Sequence, residues 1–204
     1  MDPKQTILAR LRDHPLEDVP LPDLDGPWTT YEDPLGQFRT TLQAVGGLAV
    51  DVADGESPDA ALRQVAAYRD ARKICSLVPD IIRGNVSMDG ASSPHELEDI
   101  DFCIAAGQFA VAENAAVWVT DQNARHRVIY FLAQHLALIV SARDIVHNLH
   151  DAYRKIAFAQ RGYGLFISGP SKTADIEQSL VIGAHGPRSL TVLLVGSSMR
   201  SGAG

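Results

Sequence analysis

Cysteine is nearly absent: the 204 residues contain two, Cys75 and Cys103, each among apolar neighbours. No Cys-x-x-Cys pair exists, nor the four thiolates of an iron–sulfur cluster, so the chain is expected to bury two inert thiols and hold no cluster of its own. Long apolar runs are also lacking. Stretches such as Leu136 to Val140 fall far short of the roughly 20 residues that span a bilayer, and the N-terminus shows no cleavable signal pattern. A soluble cytoplasmic protein without a membrane span is the expectation. A basic stripe is missing as well. The formal charge is −7, which argues against nucleic acid as a partner. Residues 1–100 carry 9 Lys/Arg against 18 Asp/Glu, whereas residues 101–204 carry 9 against 7. The C-terminal half is therefore the better place for a small anionic ligand.

What the chain has is apolar content, 46% of its residues, enough for one substantial core. Asp2 and Pro3 open a first helix with a narrow stripe of Ile7, Leu8 and Leu11, expected to pack on the domain. From Asp13 to Pro34 five prolines forbid regular structure, so this segment either wraps the surface or is mobile. Residues 1–34 are thus read as a helical and proline-rich arm, 35–196 as an α/β domain and 197–204 as a flexible tail. Within the domain, helical spacing of Phe38, Leu42 and Val45 ends at Gly46-Gly47, and Leu48 to Val52 reads as a strand. Ser57-Pro58 opens a helix carrying Leu62, Val65, Ala66 and Arg69. Further strands are expected at 74–78, 102–104, 109–112, 115–119, 136–140, 165–167 and 190–195, with a helix over about 142–158. Strands interspersed with helices predict a mostly parallel sheet with helices on both faces.

The chemistry-bearing residues concentrate late in the chain. Gly164 and Gly169 have P-loop spacing, but Pro170 and Ser171 separate the second Gly from Lys172, and proline supplies no N–H donor. An ATP-hydrolysing loop is therefore excluded. What remains is a strand ending in Ser168-Gly169-Pro170-Ser171-Lys172-Thr173, then Asp175 and Gln178 at capping-box spacing, where backbone N–H groups would receive an anionic or carbonyl oxygen. His185-Gly186-Pro187-Arg188 follows, and Arg188 is the expected anchor for a carboxylate or phosphate because its planar fork makes bidentate contacts. Glu113 and Asn114 form the crest of a turn between two strands. A buried Glu113 would have a raised pKa suited to acid–base work. His147 and His150 with Asp144 and Asp151 share a helix in metal-like spacing, but read as its solvated side.

The run Gly169-Pro-Ser-Lys-Thr-Ala-Asp-Ile-Glu177, followed by Gly183-Ala-His-Gly-Pro-Arg188, resembles the signature of the lactate utilisation protein C family, whose defining unit is the LUD domain. The resemblance extends to Phe109-Ala-Val-Ala-Glu113, with Asn114 and Ala115 standing where the family has Thr-Gly. It implies a fold related to the ribose-phosphate isomerase, glucosamine-phosphate deaminase and coenzyme A transferase group. It also implies a non-iron–sulfur component of a bacterial system oxidising L-lactate to pyruvate, beside iron–sulfur lactate utilisation proteins. The ligand-binding set then comprises Asn114, Ser168, Gly169, Pro170, Ser171, Lys172, Thr173, Asp175, Glu177, His185, Gly186 and Arg188. Glu113 is the candidate catalytic group, with no metal site and no cofactor in this chain. The alternative is a stand-alone enzyme or binding protein, coenzyme A transferase-like or folate cyclo-ligase-like, acting on a small anionic ligand through Glu113 and the two loops.

Overall fold

The computed structural model describes residues 2–13, 19–20, 22–156, 162–174 and 180–196. Helix α1 (Pro3–Arg12) starts where Asp2 accepts from the Lys4 N–H, with proline at its first position. None of its residues is buried; Ile7 and Leu11 are 60% and 65% exposed, so the expected packing of this stripe on the domain is not seen. The proline-rich segment does wrap the surface where it is described. The Tyr31 N–H donates to His147 Nδ1 at 3.1 Å, Asn148 Nδ2 to the Thr29 carbonyl at 2.9 Å, and Trp28 stacks on His150 at 3.5 Å. The histidines read as solvated thus strap the arm to the body.

Helix α2 (Pro34–Ala44) leads into β1 (Leu48–Val52), followed by α3 (Pro58–Leu62), α4 (Ala66–Asp70), β2 (Ile74–Ser76) and β3 (Phe102–Ala106). Next come β4 (Phe109–Val111), β5 (Val117–Thr120), α5 (Ile129–Leu132), β6 (His135–Ser141), β7 (Ile145–Val146) and α6 (Leu149–Lys155). The chain then forms β8 (Gly164–Ile167), β9 (Lys172–Ala174), β10 (Leu180–Ile182) and β11 (Ser189–Val195). Five strands form a central sheet in the order β1-β11-β6-β3-β2, and all its pairs are parallel. The strand alternation sorts its side chains into two layers. Cys103, Leu136, Leu138, Val140, Leu190 and Val192 face α2 and a second sheet, whereas Phe102, Ile104, Ala137, Ile139 and Leu193 face α3 and α4. Helices therefore lie on both faces, as expected of a mostly parallel α/β sheet. Each fully buried Leu, Ile, Val or Phe of these layers contributes roughly 1.5–3 kcal/mol. Cys75 and Cys103 belong to the first layer, and burial pushes both thiols up.

The second sheet, β7-β4-β5-β8, shares the first face with α2 and lays Ala110, Val117 and Val119 into the same core. The sequence pattern and the structure differ in three places here. The helix expected from Ser57 breaks into α3 and α4 because Val65 is extended, and Tyr68 then packs edge-on against Phe102 while donating to Asp59. The helix expected over 142–158 begins only at Leu149, where Asn148 caps it, because Ile145 and Val146 pair with Ala110 and Val111. Lys172–Ala174 and Leu180–Ile182 form an antiparallel ladder, two strands that the sequence pattern does not predict. Asp175, Glu177 and Gln178 lie outside the described residues, as does the tail 197–204.

Candidate functional site

A cleft of about 320 Å³ opens between the two sheets at the N-terminal ends of β6 and β11, a size adequate for a small metabolite. Its floor is apolar, from Tyr130, Leu136 and Leu190, and its rim carries Ser168, Lys172 and His185. The first loop is set by its glycine. Gly169 is buried at φ +70°, and a Cβ there would lie 2.8 Å from the Val45 carbonyl oxygen, so the backbone passes against the end of α2 as only glycine allows. Pro170 and the Lys172 stem lie beside Gly46. The second loop is tied to the first: the Ser171 N–H donates to the Pro187 carbonyl at 2.9 Å, and the Gly183 N–H to the Ser171 carbonyl at 2.9 Å.

This ladder extends the β9-β10 hairpin and brings Ser168 to Lys172 and His185 to Pro187 into one wall. It also engages some of the backbone donors expected in these loops. The N–H groups of Ser171 and Gly183 are used within the ladder, and that of Arg188 donates to the Gln134 carbonyl at 2.7 Å. Thr173 sits in the ladder opposite Val181, its backbone committed to the sheet. Gly186 lies close over Ser171. Arg188 is exposed, its stem running across Gly183, and it is not part of the cleft wall. Lys172 is the cation in the wall, and no carboxylate among the described residues pairs with it.

The Glu113-Asn114 turn adjoins the first loop, since Ser168 Oγ donates to the Asn114 carbonyl at 2.6 Å. Glu113 itself is exposed, and its carboxylate accepts from the Leu149 N–H at 3.0 Å, an orphan donor at the start of α6. The burial on which an acid–base role rested is not found; the side chain tethers a helix end. Asn114 Oδ1 accepts from the Ala116 N–H at 3.1 Å, closing the turn around Ala115, which is buried at φ +55°. A left-handed alanine stands where the family resemblance has glycine, which accounts for that glycine in backbone terms.

One interaction at this end of the sheet escaped the sequence reading. His135 Nδ1 lies 2.8 Å from Ser189 Oγ across β6 and β11, and its ring faces Phe102. Burial first, and then the nearby Arg188 charge, hold its pKa below the ordinary 6.5. The neutral ring thus favours the folded state. This contribution is fully present above pH 6.5 and is lost as pH falls through the lower folded value. His135→Gln should flatten the fall in unfolding free energy between about pH 7 and pH 5 measured by urea titration. An unchanged slope would show that His135 does not contribute to it.

A mostly parallel α/β core with a second sheet and a loop-built cleft defines a class, and the comparisons with known proteins place the chain within it. The LUD domain family model matches residues 37–195, and the chain belongs to that family. Lactate utilization protein C of Geobacillus kaustophilus is 30% identical over 176 residues, covering 82% of this chain and 70% of the relative. The protein of the same name from Geobacillus thermodenitrificans is 27% identical, covering 94% and 93%. A crystal structure of a DUF162 family protein from Deinococcus radiodurans superposes with a TM-score of 0.61 at 18% identity, covering 80% of this chain and 96% of that one, and so shares the fold. Among the described residues no helix is long and apolar enough to cross a membrane, and no cluster of His, Cys, Asp and Glu could hold a metal ion.

Proposed function

We propose that this protein is the non-iron–sulfur component of an L-lactate utilisation system, holding a small carboxylate of the lactate or pyruvate type in the cleft between its sheets. The observation that carries the ligand assignment is the wall itself. One ammonium, Lys172, and the imidazole of His185 ring an apolar floor, beside the Ser168 hydroxyl, whose proton is held by the Asn114 carbonyl and whose lone pairs remain as acceptors for a ligand hydroxyl. This matches a ligand with one charged end and a short carbon chain. The names of the two Geobacillus relatives support the metabolic setting. Both thiols are buried and 28 positions apart in sequence, so electron transfer falls to cysteine-rich iron–sulfur partners in the cytoplasm. Glu113, occupied at the start of α6, gives a transferase-like nucleophile no support.

Deleting the gene in its host should abolish growth on L-lactate while leaving growth on pyruvate intact, and affinity purification of the native protein should bring down iron-containing partners. Growth on L-lactate at the parental rate would overturn the metabolic assignment. Stoichiometric iron in the isolated chain after anaerobic reconstitution would overturn the division of labour.

A further inference from the structure

A second cleft, larger than the first, lies elsewhere, beside the edge strand β2 on the face covered by α3 and α4. It encloses about 530 Å³. It is lined by Arg63, Arg69 and Arg83, with Asn85 and the apolar Ala71 and Ile74, and by no acidic residue. That composition stands out in the half of the chain where acids outnumber bases by 18 to 9.

The wall is also held in place. Asn85 Oδ1 accepts from the Ile74 N–H at 2.8 Å, and its Nδ2 donates to the Arg72 carbonyl at 2.6 Å. The backbone N–H groups of Asn85 and Val86 both donate to the Ile74 carbonyl. Gly84 lets this happen: a Cβ there would lie 2.5 Å from that same carbonyl oxygen and 2.9 Å from the Ser76 nitrogen. The segment presenting Arg83 is therefore stapled to the sheet edge. Arg63 is oriented through its Nε by Asp59, which also receives the Tyr68 hydroxyl. The Arg69 Nε is 3.7 Å from the Asp70 carboxylate, beyond hydrogen-bond reach, and among the described residues no carboxylate forms an ion pair with Arg83.

We propose that this cleft binds a phosphorylated small molecule, the phosphoryl oxygens meeting Arg63, Arg69 and Arg83 and an apolar part resting on Ala71 and Ile74. Planar forks suit phosphoryl oxygens, and a group with three or more anionic oxygens offers three guanidiniums more acceptor sites than a lone carboxylate does. The volume fits a metabolite larger than a three-carbon acid. This second site is independent of the Lys172 cleft, because the two lie on opposite faces of the central sheet.

The test is a titration of the isotopically labelled full chain with inorganic pyrophosphate at constant ionic strength, followed by amide chemical shifts. Saturable shifts at residues 69–74 and 83–86, with a dissociation constant below about 1 mM, are expected. Arg83→Gln and Arg69→Gln should each raise that constant about tenfold, and Gly84→Ala should raise it by displacing Arg83. Linear, unsaturating shifts at these amides would overturn the proposal, as would a constant unmoved by either arginine substitution. Shifts confined to residues 168–188 would overturn it too, assigning the anion to the other cleft.

Discussion

Gly169→Val is expected to lower the unfolding free energy by about 3 kcal/mol and to abolish ligand binding in the Lys172 cleft. Two costs combine. A left-handed backbone costs an L-residue roughly 1–2 kcal/mol, more when it is β-branched, and Gly169 has φ +70°. The added Cβ would also lie 2.8 Å from a carbonyl oxygen of the α2 end, an overpacking of the kind that costs about 1–3 kcal/mol. The loop cannot escape by simple retraction, because Ser171 is bound on both its N–H and its carbonyl to the 183–187 loop. Urea denaturation of the variant measures the effect. A midpoint equal to that of the parent would show that the first loop does not need its close approach to α2.

Tyr130→Ala should be more damaging, by about 3–5 kcal/mol, as expected for emptying a buried aromatic site. Tyr130 is 2% exposed, lies under the cleft and donates its hydroxyl to the Thr120 carbonyl at 2.8 Å. Burial raises the pKa of that hydroxyl, so it remains a donor throughout the working pH range. Tyr130→Phe separates the two contributions. It keeps the ring and leaves a buried carbonyl without its donor, for an expected loss of about 1–2 kcal/mol. Equal losses for the two variants, measured by denaturant titration, would mean that the ring fills no space that matters.

Much of the central sheet was legible because β6 and β11, buried on both faces, read as continuous apolar runs and came within one residue of their observed limits, as did the more exposed edge strand β1. Short or locally ambiguous elements were not. Ile145, Leu149, Tyr153 and Ile156 imitate a helical stripe, yet Tyr153 is 56% exposed and Ile145 belongs to a strand. The deciding contact is with Val111 and Ala110, thirty-five positions away in sequence, which no local period reveals. The same limit governs the site. The juxtaposition of Ser168 to Lys172 with His185 to Pro187 was suggested by their density of polar and Gly-Pro residues, and ladder hydrogen bonds realise it. Burial, however, is a tertiary property, and so the solvent-facing position of Glu113 and the exclusion of Arg188 from the wall were invisible. His147 and His150 hold the arm through contacts with residues more than a hundred positions earlier. Their spacing alone resembles ligands on one helix face, and the two readings differ only in what lies opposite.

The cleft at Lys172 is proposed to hold a small carboxylate. Calorimetric titration of L-lactate and pyruvate into the full chain at constant ionic strength, for the parent, Lys172→Gln and Arg188→Lys, tests it most directly. The parent is expected to bind at least one of the two acids saturably and one-to-one. A loss of about 1–3 kcal/mol is expected in Lys172→Gln, the worth of a charge-assisted contact, with little change in Arg188→Lys. Binding that survives Lys172→Gln but falls in Arg188→Lys would place the anion outside this cleft, and no saturable binding of either acid would contradict the account.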